Sequence, residues 1–330
     1  MKNKYRRFSY LTDLYGIKTS FLDMFGIGFP KQAKLNKFYY KEDCSVEFDE
    51  VWFIKSITEK ATNHPLNRLE YPFQNEKIFD EPIIGFVNGN DPIFQDYKKV
   101  IGPQHFTTEE IMRWQANNNN VEPPKAEELT VISFILPISE KTIKANADKT
   151  DWLSERWAQT RKSGEIFTQV FVREIVSLLM EKGVLAIAPD MTPMFRYKRY
   201  PNVGWSSSWS HRHIAYAAGL GTFGMHNLLI TEKGVAHRCG SFVVNLKLNP
   251  SGKREKDIHA HCLHYQGISC LKCMQRCPAG AISVNGHNKE CCYKKVISSI
   301  PLCNKEYHIF IYGCGLCSAE IPCESSLPIK

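Results

Sequence analysis

The hydrophobic positions of this chain fall into two rhythms. Between Leu129 and Leu136 the side chains of Val131, Ile132, Phe134 and Ile135 make a nearly unbroken, β-branched apolar run, which predicts a buried strand. From Ile166 onward, Phe167, Val170, Phe171, Ile175, Leu178 and Leu179 recur every three or four residues. That spacing predicts a helix with one apolar face, and Gly183 supplies its stop. Residues 184–188 (Val, Leu, Ala, Ile, Ala) predict a second short strand. Strand, helix and strand over these residues predict a layered α/β or α+β structure.

Weaker patterns frame this centre. Thr107 and Glu110 have the spacing of a capping box, opening a short helix that carries Ile111, Met112 and Trp114. Asn117 to Asn120, followed by Pro123 and Pro124, predicts a long polar loop. Residues 65–106 read as short strands joined by loops, and residues 1–64 are aromatic-rich with a turn at Gly26 to Pro30. Ile214, Ala215, Ala217 and Ala218 look helical. Leu228, Leu229 and Ile230 look extended, as do residues 241–246. No fixed period suggests a repeat architecture.

Composition adds few surprises. The chain has 330 residues, 43% hydrophobic and 23% charged, which is ordinary for a globular protein large enough for two domains. No window approaches the length of apolar sequence that a membrane helix needs. Arg6, Arg7 and Phe8 begin like a twin-arginine export signal, but Asp13, Lys18 and Asp23 interrupt the apolar stretch such a signal requires. The expectation is a cytoplasmic protein without membrane contact.

The cysteines change the picture. Ten of the twelve lie between 262 and 323. In a reducing compartment, a clustered set binds metal or performs redox chemistry more often than it forms disulfides. Cys270, Cys273 and Cys277, the last followed by Pro278, form the core of a bacterial ferredoxin run. In a two-cluster ferredoxin the cysteine before proline serves the other cluster. On that logic one [4Fe–4S] cluster takes Cys262, Cys270, Cys273 and Cys323. A second takes Cys277, Cys314, Cys317 and either Cys291 or Cys292. A single all-thiolate zinc site built from the 270/273 and 314/317 pairs is the alternative, and it leaves Cys262, Cys277, Cys323 and the 291/292 pair unemployed. The run is irregular. Gly267 stands where a further cysteine belongs, and Cys317 and Cys323 are five residues apart with Pro322 before the last cysteine. Cys44, Cys239 and Cys303 read as ordinary small residues. The formal charge of +8 falls to roughly +4 once eight thiolates and two oxidised cores are counted, a mild basic bias that suits an anionic partner.

Two motifs precede the cysteines. Gly219, Gly221 and Gly224 match G-x-G-x-x-G, but a helical segment comes before them and an extended one after. A dinucleotide fingerprint needs the reverse order, so the glycines predict a tight helix-to-strand turn lying close to a bulky cofactor. Just upstream, Ser210, His211, Arg212 and His213 concentrate proton-handling groups. His211 or His213 could supply a proton in a reduction, or the segment could simply be a serine-capped helix start. His259, His261 and His264 surround Cys262 and read as a partly exposed loop cluster.

Together, the segment Tyr216 to Ile230 (Tyr, Ala, Ala, Gly, Leu, Gly, Thr, Phe, Gly, Met, His, Asn, Leu, Leu, Ile) and the double ferredoxin run resemble the epoxyqueuosine reductase and reductive dehalogenase superfamily. The resemblance covers residues 205–325 and is weak before them. It implies a nitroreductase-like catalytic domain over residues 1–250 and a ferredoxin-like domain over 251–330. It also implies a cobalamin bound without its lower base, fed single electrons by two [4Fe–4S] clusters. The partners it implies are an electron donor such as ferredoxin or flavodoxin and, for epoxyqueuosine reductases, a modified base in transfer RNA. Those reductases carry an aspartate proton donor shortly before the glycine segment. Here Val203 to Trp209 contains no acid, so a histidine at 211 or 213 would have to stand in or the substrate would differ. The expectation is an iron–sulfur reductase; a ferredoxin-like carrier serving a partner enzyme is the alternative.

Overall fold

In a computed structural model, residues 47–73, 75–201 and 203–329 are described. The Gly26–Pro30 turn, Cys44 and the paired arginines near the start lie outside them. Chain order runs α1 (Glu50–Asn63), β1 (Ile83–Asn88), α2 (Ile93–Val100), α3 (Thr108–Asn119), β2 (Thr130–Pro137), α4 (Glu140–Ala147), α5 (Glu155–Glu181) and β3 (Ala186–Ile187). It continues through β4 (Tyr197–Tyr200), β5 (Gly204–Ser207), α6 (His211–Ala217), β6 (Thr222–Phe223), β7 (Leu229–Ile230) and β8 (His237–Val244). The remainder is short: α7 (Lys272–Gln275), β9 (Ile282–Ser283), β10 (Gly286–His287), α8 (Lys289–Ile297) and α9 (Ile300–Glu306).

The central sheet has the order β1-β2-β8-β3, and every pairing in it is antiparallel. The two strands joined by the long helix, β2 and β3, are therefore not neighbours. β8 arrives from far along the chain and inserts between them. Every residue of β2 is buried, as its unbroken apolar run requires, because both faces of the sheet are covered. Ile132, Phe134 and Leu136 pack with Phe167, Phe171 and Ile175 of α5, with Phe134 and Phe171 edge to face at 5.4 Å. Val131 packs with Trp209 and Ile214, and Ile135 packs with Ala215, on the side of α6. The strand's period of two thus sorts its side chains between two cores.

Several elements depart from the simple pattern. α5 begins eleven residues before the visible periodicity, at Glu155, because Ser154 caps it through the Trp157 N–H at 3.2 Å. Its early turns bury Ala158, Gln159, Thr160, Ser163 and Gly164, small and polar positions that blur the hydrophobic stripe. The capping box at Thr107 and Glu110 forms in both directions. Asn117 to Asn119 continue that helix instead of starting a loop, and Asn120 ends it in the left-handed region at φ 55°. The strand expected over 184–188 shrinks to two residues, and the one expected at 241–246 runs from 237 to 244. No helix among the described residues is long and apolar enough to cross a membrane.

Candidate active site and cysteine sites

The brevity of β3 shapes the first site. It pairs only with Val243 and Val244, so the stretch of β8 from His237 to Ser241 has no strand beside it on that edge. The two faces of β8 meet there. Arg238 faces α5 and pairs with Glu165, which also holds Arg161 at 2.8 Å. Ser241, on the opposite face, accepts a hydrogen bond from Trp209 Nε1 at 2.9 Å and lies 2.9 Å from His211 Nδ1. The turn after β3 brings Asp190 across, with Oδ2 3.1 Å from His211 Nε2. Tyr197 of β4 and Tyr312, over whose ring Arg161 sits at 5.3 Å, complete the walls.

This edge is recessed without being sealed. Arg161, Glu165, Asp190, His211 and Arg238 keep between 21% and 30% of their side-chain surface accessible. Desolvation is nevertheless the largest influence on Arg161, Glu165 and Arg238. Burial pushes Glu165 up, but Arg238 and Arg161 outweigh it and hold its carboxyl at about 2. Tyr197 is largely accessible, yet its hydroxyl is pushed up to about 12, first by desolvation and then by the charge of Glu165. Accessible surface walled by protein is what a cleft presents. Asp190 Oδ1 and Arg238 Nε have no hydrogen-bond partner among the described residues.

The first turn of α6 fans out in three directions. His211 enters the cleft. Arg212, desolvated, donates to the Asn227 carbonyl at 2.5 Å and feels the charge of Cys239, Cys292 and Cys317. His213 turns the other way, into Tyr97 and Phe223, with Nδ1 2.8 Å from Ser210 Oγ. Burial first, then the neighbouring Arg212, lowers its pKa to about 3. The two candidate histidines are therefore not brought together, as a spacing of two on a helix dictates.

The cysteines separate into two sets. Cys262, Cys270, Cys273 and Cys323 line one cavity together with Met225, His226 and Ile321. Within it the Cys323 thiol is pushed up to about 12, by burial and then by Cys273, Cys262 and Cys270. In the second set, Cys317 is raised by burial, then by Cys314, Cys292 and Cys277, and last by Cys273 of the first set. Cys292 is pushed up to about 11 by burial, then Cys314 and Cys277. Between the two adjacent cysteines of α8, Cys292 faces this set while Cys291 is exposed. The 270/273 and 314/317 pairs fall into different sets. Among the described residues no three metal-binding side chains converge as they would on a single ion. Cys303 is fully buried in the main core, and Cys239 sits in the cleft wall beside His237, Sγ to Nδ1 3.6 Å.

The glycine turn joins helix α6 to strand β6, the order read from its flanks. Gly219 has φ +75°, which favours glycine. A side chain at 221 would run into the backbone of Ile230, and one at 224 into the ring of His226. All three glycines pack against this chain's own atoms. His259 Nδ1 lies 2.7 Å from the Phe223 carbonyl and its ring stacks on Tyr265, while His261 lines the first cysteine cavity.

Asp190, the Arg161–Glu165–Arg238 group, Tyr197 and His226 carry no motif. Asp190 is far in sequence from the histidine it meets, and only the β3 turn connects them. His226 alone lay inside a segment already singled out.

No family model matches the chain, and no curated protein matches it. Solved structures do. The chain is similar to an epoxyqueuosine reductase with a modified transfer RNA stem loop, at 17% identity over 83% of this chain and 64% of that one, TM-score 0.38. It is similar to the Bacillus subtilis epoxyqueuosine reductase at 16% identity over 84% and 65%, TM-score 0.40. A catabolic reductive dehalogenase matches at 14% identity over 84% and 36%, TM-score 0.46. The chain thus spans less than two thirds of the length of these proteins. The chemistry must therefore be read from this chain's own residues.

Proposed function

We propose that the protein is an iron–sulfur reductase related in mechanism to epoxyqueuosine reductases and reductive dehalogenases, with a nitroreductase-like part to residue 250 and a ferredoxin-like part from 251. The observation that carries this reading is the sorting of eight cysteines into two sets of four. Cys262, Cys270, Cys273 and Cys323 would hold one [4Fe–4S] cluster, and Cys277, Cys292, Cys314 and Cys317 the other. Four thiols in each set match the donor count of such a cluster, and the exposed Cys291 is the candidate left out. For a corrinoid, the sheet-edge cleft offers a wall of partly accessible charged and hydrogen-bonding side chains, Asp190, Arg238 and Tyr197, whose chemistry suits the amide side chains around its ring. When bound, the clusters supply one-electron transfers and a corrinoid supplies a low-valent cobalt able to attack a substrate.

The chain's residues then have distinct tasks. Arg212 feels the charge of Cys292 and Cys317 in the second set and of Cys239 in the cleft wall, and its positive charge would favour an electron arriving there. His211, held by Ser241 at one nitrogen and Asp190 at the other, would deliver the proton that a reduction consumes. Asp190 would hold the imidazole in place and stand in place of the acid missing between Val203 and Trp209. His213, enclosed by aromatic rings, has no such access. Arg161, Glu165 and Arg238 would fix the charge of the wall. Together these make a cleft suited to turnover, which favours an enzyme over a simple carrier. The mild basic bias supports a nucleic acid substrate such as a modified base in transfer RNA, with a small ferredoxin or flavodoxin as electron donor and the cytoplasm as the site of action.

Iron and acid-labile sulfide, quantified on anaerobically purified protein, test this. About eight of each per chain are expected. On the same sample, added cobalamin should show the spectral change of base-off binding. Zinc without iron would overturn the reading, and eight irons with no corrinoid response would leave only the electron-transfer part of it standing.

A further inference from the structure

Cys323 is the cysteine at irregular spacing, and it is held from outside the sulfur region. The turn between β7 and β8 grips its backbone: Val235 N–H donates to the Cys323 carbonyl at 2.9 Å, and Gly234 lies so close to the Glu324 backbone that no side chain fits there. From the adjoining turn, His226 reaches its sulfur, Nε2 to Sγ 3.6 Å. The His226 ring is 2% exposed, and its other nitrogen is already engaged, because Leu228 N–H donates to Nδ1 at 3.1 Å. A neutral ring that accepts at Nδ1 carries its hydrogen on Nε2. The proton therefore points at the sulfur. Gly224 makes room for this arrangement: a Cβ there would overlap Cε1 and come within 2.9 Å of Nδ1.

We propose that His226 is a positioning residue that donates an N–H···S hydrogen bond to Cys323 and thereby raises the reduction potential of the cluster held by Cys262, Cys270, Cys273 and Cys323. The proposal rests on the iron–sulfur reading above. Reduction adds negative charge that is shared with the ligand sulfurs, so a donor aimed at one of them stabilises the reduced state more than the oxidised one. The third glycine of the G-x-G-x-x-G segment then serves the cluster indirectly, as the seat of the imidazole.

The test is a redox titration followed by electron paramagnetic resonance on the full chain, with iron counted in each sample. His226→Leu removes the donor. Gly224→Ala keeps the histidine but pushes its ring off the sulfur, so it reads the same bond without deleting the residue. Both variants should retain the iron of the unaltered protein, and both should lower the potential of one cluster while the other stays put. Unchanged potentials, equal shifts of both clusters, or loss of half the iron in His226→Leu would each overturn the proposal. Absence of iron from the unaltered protein would instead sink the parent reading, so the two failures are distinguishable.

Discussion

The sheet-edge cleft and the sulfur region obtain their order from different sources. The cleft stands on β2, β8 and α5, elements packed into a core that includes Phe134, Phe167, Phe171 and Phe242, all fully buried. Its charged groups are placed by backbone that would be stable without them. Among its described residues beyond 250, the sulfur region has only α-helices of four to nine residues, a three-residue helical turn at Leu316–Ser318 and two-residue strands. Its small core counts Cys262 and Cys273 among its buried members, with Cys277, Cys317 and Cys323 packed against it. One region positions chemistry with a finished core; in the other, the proposed ligands are themselves part of the core. Metal binding in the second region is therefore expected to be folding.

The largest expected effect follows directly. Stripping iron with a chelator, or replacing Cys273 by Ser, should expose residues 251–329 to proteolysis and leave the sheet resistant. Cleavage spread evenly over both regions would break the contrast between them.

A smaller effect sharpens the role of the cleft. Asp190→Asn and His211→Phe should each lower turnover by about 100-fold or more, the usual worth of a positioned proton donor. Iron content should not change. His213→Gln should leave turnover within a few fold, because its ring packs away from the cleft. Equal losses at 211 and 213 would remove the assignment.

The smallest effect concerns acid. Burial holds His105 at about 4 and His213 at about 3, against 6.5 for a free histidine. Between those values the unfolded chain takes up protons that the folded one refuses, so stability falls as pH drops below 6.5. Each histidine contributes up to about 1.4 kcal/mol per pH unit. Glu165, depressed from 4.5 to about 2, adds stability that is present above pH 4.5 and lost as pH falls toward 2. Urea midpoints measured from pH 7 to pH 4 should decline steadily, and a flat profile would mean these histidines are hydrated. His105→Gln should flatten part of the slope.

What could be read from residues alone was local. Apolar periods located β2 and the later turns of α5, because burial on one or two faces imprints a period of two or 3.6. Cysteine spacing suggested which thiols belong together, because Cys270 and Cys273 are close enough for one centre while Cys277 lies a helical turn further on. The order of helix and strand around Gly219 to Gly224 favoured a tight turn over a dinucleotide site. The tertiary structure decided the rest. Insertion of β8 between β2 and β3 made the sheet antiparallel and opened its edge. The turn after β3 carried Asp190 to His211, and rotation along α8 turned Cys292 toward Cys314 and Cys277 and left Cys291 exposed. Packing around Gly224 aimed His226 at Cys323. Each of these joins residues far apart in the chain or picks between neighbours of identical chemistry, and neither distinction leaves a mark in composition or spacing.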